Sequence, residues 1–374
     1  MFDVPFLDVA YREPARLAPD LSGLSDLLRE VGFTETTVVE LLEALGLQDL
    51  LSRSLEYALL SDGTANHLMA TAAGLLTQLF VRNGWAPLDV YRARLPIALR
   101  HRAEMLGLVS VAGAWVKGHV SISPLSGQHF LSDQLFTLAR SGEPSFRRRS
   151  DIVMPPHAST MALHDAASRD GAWKHLVDLG CGCGVLAVTL GGSYGMVTAV
   201  DCNPRAVAYT RANAILNGVD LMAETVDVTK QRVPVSGSAH LIFNSPTSIP
   251  YRPDVGEPGI MSPELALRRV LAQFPTRGPA GGLAQVYMVV EVPNRYGSAE
   301  QLVRDWLTGA QFDRVEVREQ HDSPVAIPTE MILTRSIEPR CLLLKRGDDA
   351  PVLADYLRER GTREVVSAVV SVWV

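Results

Sequence analysis

The chain of 374 residues lacks any uninterrupted apolar run of the roughly 18 residues that a membrane-spanning helix needs, so it carries no candidate membrane span. Cysteine is scarce. There are four in all, too few for a disulfide scaffold, and Cys181, Cys183 and Cys202 fall at predicted strand ends, where disulfide geometry is not expected. Cys181 and Cys183 have no second ligand pair at zinc spacing, so no metal is expected. Lysine is equally scarce: Lys117, Lys174, Lys230 and Lys345 are the only lysines among 35 basic residues, a composition common in GC-rich genomes, where specialised biosynthetic pathways abound. Positive charge is in deficit, with 35 Lys+Arg against 41 Asp+Glu and a net charge of −6. That balance gives no global attraction for a polyanion and disfavours nucleic acid as a partner. The start, Met-Phe-Asp-Val-Pro-Phe-Leu-Asp, has neither the basic opening nor the long apolar stretch of a secretory signal, and a cytoplasmic location is expected.

What is present reads as two globular domains, with 47% hydrophobic and 20% charged residues. From Leu24 to about Leu106 apolar residues recur at helical spacing, as in Leu41, Leu42 and Leu45 and in Leu75, Leu76, Leu79 and Phe80. Short helices are expected around Asp89 to Leu95 and Ile97 to Leu106. The alternating segments Leu108–Val111 and His119–Ile122 then predict a β-hairpin, so residues 1–145 are expected to form a helical, winged-helix-like domain. Arg92, Arg94, Arg100, His101 and Arg102 are its candidate basic face; dimerisation or a substrate lid is the alternative use, and its apolar helices point to a homodimer. Phe146-Arg-Arg-Arg149 reads as a solvated linker.

Beyond it, residues 146–374 alternate strands with helices, the mark of an α/β fold with a parallel, Rossmann-like, seven-stranded sheet. Strands are expected at His175–Asp178, Met196–Asp201, Leu221–Val226, Leu241–Asn244, Gly282–Val292, Arg314–Arg318 and Cys341–Lys345, and helices at Arg205–Asn217 and Pro263–Gln273. The apolar run Val365–Val374 is expected to add an edge strand or to pack on the first domain.

Asp178-Leu-Gly180-Cys-Gly182-Cys-Gly184 sits where the first strand ends and a helix begins, the ligand-binding position of open α/β sheets. A dinucleotide loop places glycines at relative positions one, three and six. Here the sixth position is Val185, so the pyrophosphate fingerprint fails. An acidic residue followed by alternating glycines resembles motif I of the class I S-adenosylmethionine-dependent methyltransferases. The resemblance covers about residues 150 to 347 and implies S-adenosylmethionine as cofactor, with Asp178, Gly180, Cys181, Gly182 and Gly184 lining it. It also implies that Asp201, ending the second strand beside Cys202, accepts the ribose hydroxyls, and that Asp227, beside Val228, accepts from the adenine amino group. Asn203 is free to cap the following helix in place of Asp201.

Leu241-Ile-Phe-Asn244-Ser245-Pro246-Thr247 ends the fourth strand and resembles the Asn-Pro-Pro-Tyr motif of amino-group methyltransferases, among them glutamine-N5 and guanine-N2 enzymes. The resemblance implies that the Asn244 side-chain oxygen and the Ser245 carbonyl accept the hydrogens of the target nitrogen. Here Ser245 replaces the first proline and Thr247 the aromatic ring, so the stacking partner of a planar amide or base is missing. Segment Gly259–Leu271 and the Gly281-Gly282 turn also look like this branch. Further candidates are His157 in Met154-Pro-Pro-His157 and His321, both as proton acceptors, with Tyr251, Arg252 and Tyr296 at the pocket. The expected activity is methylation of a small molecule, at nitrogen, as a tailoring step. The alternatives are a methyltransferase acting on ribosomal RNA or on protein glutamine, and a non-catalytic cofactor-binding protein.

Overall fold

The computed structural model describes residues 3–52, 54–59, 67–147, 149–167, 173–245, 262–274, 281–319, 326–328, 355 and 357–374. It divides into two compact units. One comprises Met1–Ala158, Cys181–Gly192 and Val197–Thr225, the other Ser159–Gly180, Ser193–Met196 and Val226–Val374.

The first unit opens with short helices that include Pro5–Arg12, Leu24–Glu30, Glu35–Leu41 and Ala72–Leu76, the last running into a π-helical turn at Thr77–Val81. Thr34 and Thr71 cap two of them, their hydroxyls accepting from Thr37 N and Gly74 N. Leu42, Leu75, Leu76, Leu79 and Phe80 are buried as the spacing predicts. Leu45 is not: the helix ends at Leu41, Glu43 takes a left-handed φ of 54°, and Leu45 is 91% exposed.

Strand β1 (Trp85–Pro87) leads into helices Leu88–Arg94 and Ile97–Met105, and β2 (Val109–Ala112) and β3 (Trp115–Gly118) complete an antiparallel sheet of order β1-β3-β2. The hairpin expected between Leu108–Val111 and His119–Ile122 is therefore corrected. The partner of β2 is Trp115–Gly118, because Ala112 pairs with Trp115 across the two-residue loop Gly113-Ala114, with Gly113 at φ 62°. The later segment instead begins β4 (Ser121–Leu125), which pairs with β5 (Gln128–Ser132) across Ser126 and Gly127, both at positive φ. A third hairpin joins β6 (Phe136–Leu138) to β7 (Pro144–Phe146).

The basic face is also smaller than expected. Arg102 donates to the carbonyls of Pro19, Asp20 and Ser22, and Arg100 donates to Leu95 O. Both are spent on backbone, while Ile97, 77% exposed, and Met105, 65% exposed, stand on the same helix.

Further along the same unit, β9 (Met196–Asp201) pairs in parallel with β10 (Met222–Thr225), and helix Pro204–Asn217 crosses between them. This helix has complete end signals. Asn203 caps it by accepting from Arg205 N, Pro204 occupies the first turn, and Gly218 closes it at φ 67°. Its first turn carries Arg205, 1% exposed, whose guanidinium binds both carboxylate oxygens of Asp133 at 2.7 and 2.5 Å and Asp3 at 2.5 Å. Tyr209 donates to the same Asp133 at 2.8 Å. Burial works against the Arg205 charge, but Asp133 outweighs it and holds the pKa above its ordinary value. Deleting one partner of such a pair costs about 3–5 kcal/mol, since the other charge stays buried.

In the second unit β8 (His175–Leu179), β11 (Ala239–Asn244) and β12 (Gly282–Pro293) lie side by side in parallel. β15 (Thr362–Trp373) pairs antiparallel with β12 on one side and with β13 (Arg314–Glu319) and the short β14 (Ala326–Pro328) on the other. The fold is mixed α/β. The C-terminal run is an interior strand, which corrects its expected edge position: nearly every residue from Val365 to Val372 is buried, a run that suits a central strand. The strand expected at Cys341–Lys345 lies outside the described residues. Helices Pro263–Leu271 and Ala299–Trp306 are capped by Ser262 and Ser298.

His240, fully buried in β11, bridges Tyr194 at 2.6 Å and Gln285 at 2.9 Å. Burial pushes its pKa down to about 4, against which the Gln285 hydrogen bond works only partly. The unfolded chain thus takes up a proton near pH 6.5 that the folded chain refuses until about pH 4. Stability is expected to fall as pH drops through that window, by about 1.4 kcal/mol per pH unit. Urea denaturation at successive pH values reads the slope, and His240→Gln should flatten it; an unchanged slope contradicts the assignment.

Candidate functional site

The site residues begin where two parallel strands end together. Leu179 pairs with Phe243 in register, so Gly180 leaves β8 beside Asn244 and Ser245 at the end of β11. Carboxyl ends of parallel strands are where open α/β sheets bind ligands. Gly180 has φ 65°, and a Cβ there would lie 2.9 Å from the Phe243 ring. Only glycine serves at this step.

The turn continues through Cys181, Gly182, Cys183 and Gly184 into helix Val185–Gly191. Gly182 has φ 55° and Gly184 φ 83°, and the two differ in what surrounds them. A Cβ on Gly184 would meet the Thr210 side chain at 2.9 Å, whereas one on Gly182 meets nothing within 4 Å. Gly182 therefore keeps an open side. Its N–H donates to Asp201 Oδ2 at 3.0 Å, while Asn203 N–H donates to Oδ1 at 2.9 Å. Burial pushes the Asp201 carboxyl above its ordinary value, with these two N–H groups pulling the other way. Asn203 is the helix cap, so Asp201 is not needed for that job. Cys181 and Cys183 are buried and Cys202 is exposed, and none of the three is in a disulfide.

Asp227 is spent locally. Its carboxylate binds Lys230 Nζ at 2.7 Å and accepts from the Thr229 hydroxyl and N–H, and Lys230 first, then Thr229, lowers its pKa to about 2. Val228 beside it is half-buried. Asp178 is buried in β8.

Asn244 is held by the helix that precedes β8. Its Nδ2 donates to the hydroxyls of Ser159 at 3.3 Å and Thr160 at 3.0 Å, at the start of helix Ala158–Ala166. With both amide hydrogens directed there, Oδ1 is kept as an acceptor. Ser245 N–H donates to Tyr287 O at 3.1 Å, which fixes the Asn244–Ser245 peptide. Pro246, Thr247, Tyr251, Arg252 and His321 lie outside the described residues. His157 reaches the surface, yet enough protein surrounds its ring to hold its pKa below the ordinary value. Tyr296 donates to Asp305 at 2.5 Å and faces a surface recess of about 410 Å³ with Arg295, Gln301 and Arg304.

Four contributors were not singled out from sequence. Ser159 and Thr160 orient Asn244, and their only local signal was a pair of hydroxyls at a helix start, which reads as capping. Thr210 donates to Gly182 O at 3.1 Å, and Asn213 donates to Cys183 O at 2.8 Å. Their positions one turn apart on helix Pro204–Asn217 could have been noticed.

Residues 158–249, from the helix that orients Asn244 through the turn to Asn244 itself, match the family model of the methyltransferase small domain. The chain therefore carries a methyltransferase domain over that segment. No curated protein matches it. Among solved structures it is similar to M. jannaschii TYW2 in complex with AdoMet, at 13% identity over 69% of this chain and 89% of that one, with a TM-score of 0.38. It is also similar to precorrin 8w decarboxylase of Methanobacterium thermoautotrophicum, at 18% identity over 61% of this chain and 96% of that one, TM-score 0.31. A third is Haemonchus contortus phosphoethanolamine N-methyltransferase 2, at 14% identity over 57% and 51%, TM-score 0.34. All three scores fall below 0.5. The fold of the methyltransferase rests on its own strand pairing. No group of His, Cys, Asp and Glu among its described residues could hold a metal ion, and no described helix is long and apolar enough to cross a membrane.

The glycines of the turn differ in what a side chain would cost. Gly184→Ala drives a Cβ into Thr210 at a left-handed φ and should cost about 2–4 kcal/mol of stability. Gly182→Ala carries the backbone strain alone, about 1 kcal/mol. Chemical denaturation compares them; equal losses would refute the packing difference.

Proposed function

We propose that this methyltransferase acts on a small molecule, at nitrogen, as a tailoring step in a specialised biosynthetic pathway. The observation that carries the reading is the Asn244 amide, whose Nδ2 is occupied by Ser159 and Thr160 and whose Oδ1 is left to accept. Asp178, Gly180, Cys181, Gly182, Gly184, Asp201, Cys202, Asp227, Val228 and Asn244 would hold the cofactor. The open side of Gly182 and the paired acceptor oxygens of Asp201 fit such a group. When bound, S-adenosylmethionine supplies an electrophilic methyl group.

Asn244 Oδ1 and the Ser245 carbonyl take the hydrogens of an amine and turn its lone pair outward along one line. Alignment of this kind accounts for most of what an in-line transfer requires. His157, neutral near pH 7 because its pKa is lowered, is the proposed acceptor of the proton that the amine gives up. Pro246 and Tyr251 complete the proposed catalytic set.

Two observations support a small acceptor over RNA or a protein. Arg100 and Arg102 are tied to backbone carbonyls, which thins the basic face. The net charge of −6 works against a polyanion. We assign residues 1–145 to a winged-helix-like domain and 146–374 to the catalytic domain of a cytoplasmic enzyme. The helix, strand, helix, helix, hairpin order over residues 72–118, with β1 against β3, supports the first assignment. Exposed Ile97, Met105 and Val111 on that domain support a homodimer through it.

Asn244→Ala should lower transfer of labelled methyl groups to small amines about a hundredfold while donor affinity stays within about twofold. Thr160→Val should move the rate in the same direction by less. Unchanged turnover in Asn244→Ala, or label delivered to RNA or protein instead, would sink the proposal.

A further inference from the structure

Ser245 stands where the resembling motif has proline. The residue is 6% exposed, and its hydroxyl has no hydrogen-bond partner. A buried hydroxyl without a partner forfeits the water it left behind, and native proteins seldom leave one idle away from a functional site. Its neighbours are known. Ser245 N–H is satisfied by Tyr287 O, the preceding Asn244 is fastened to two further hydroxyls, and all of these lie at the end of β11 beside the departing Gly180. The end of β11 is thus lined by polar groups, three of them hydroxyls, of which one is uncommitted.

We infer that the Ser245 hydroxyl is a specificity-determining group for the methyl acceptor, binding a hydroxyl or carbonyl oxygen carried beside the reactive nitrogen. This rests on the proposed reading of Asn244 as the group that receives that nitrogen. The acceptor class that follows is a β-hydroxy amine or an α-amino carbonyl compound. A hydroxyl both donates and accepts, so it serves either oxygen. A site built around such a bond rejects the analogue that lacks the oxygen far more strongly than an apolar pocket rejects a shape change. The proline of the resembling motif could not supply it, having neither a side-chain donor nor an acceptor.

The test uses the full chain saturated with S-adenosylhomocysteine, whose binding is first measured by calorimetry. Paired amines are then titrated while Tm is followed: ethanolamine against ethylamine, and 2-amino-1-phenylethanol against 2-phenylethylamine. In the wild type the hydroxylated member of a pair should bind at least about tenfold more tightly, and Ser245→Ala should erase the difference. Without any amine, Ser245→Ala should leave Tm equal or raised, because it removes an idle buried hydroxyl. A Tm lowered by about 3 °C or more would mean that the hydroxyl is bonded within the protein, and would overturn the inference. So would a pair difference that is absent from the wild type or that survives in Ser245→Ala. Failure of the wild type to bind S-adenosylhomocysteine would strike the cofactor site itself, and the inference with it.

Discussion

The left-handed backbone of the glycine turn is the constraint on which the rest of this molecule depends. Three alternating residues, Gly180, Gly182 and Gly184, hold positive φ, and Phe243 and Thr210 press against the first and the last. No side chain fits beneath those two. The turn in exchange presents backbone groups to specific partners: Gly182 N–H to Asp201, Gly182 O to Thr210 and Cys183 O to Asn213. Helix Pro204–Asn217 supplies two of these and is itself anchored by the buried Arg205–Asp133 pair and by Asn213 against Leu131 on β5. A long chain of ordinary interactions thus converges on one strained turn, which is how backbone strain persists in a folded protein.

Much of this was legible in the sequence because glycine spacing and strand periodicity are local signals. The turn, the ends of β8, β9 and β11, and the cap at Asn203 all follow from residues within a few positions of one another. What escaped was non-local or decided by a tight loop. Asn244 meets Thr160 across 84 residues, and nothing near either one announces the other. The partner of β2 was set by a two-residue loop at Gly113-Ala114, whereas alternation alone favoured a strand further on. The C-terminal run carried the apolar signal of a strand, but only its pairing with both β12 and β13 makes it interior. Arg102 looked like part of a binding face because exposure is the default for arginine, and its three carbonyl partners could not be foreseen.

On the proposed reading, the end of β11 shows how replacing two residues changes a site without changing its frame. Asn244 keeps its acceptor, the Ser245 peptide keeps its orientation through Tyr287, and the hydroxyl at Ser245 adds polarity where a proline ring would have been inert. The same frame can therefore serve a different acceptor, since function resides in the groups at the strand ends and not in the sheet that carries them.

Calorimetric titration of S-adenosylmethionine into the wild type and into Asp201→Ala tests the central claim most directly. The account predicts one saturable site in the wild type and at least about a tenfold loss in the variant, whose fold should survive because Asn203 still caps the following helix. Equal affinity in the two proteins would contradict it.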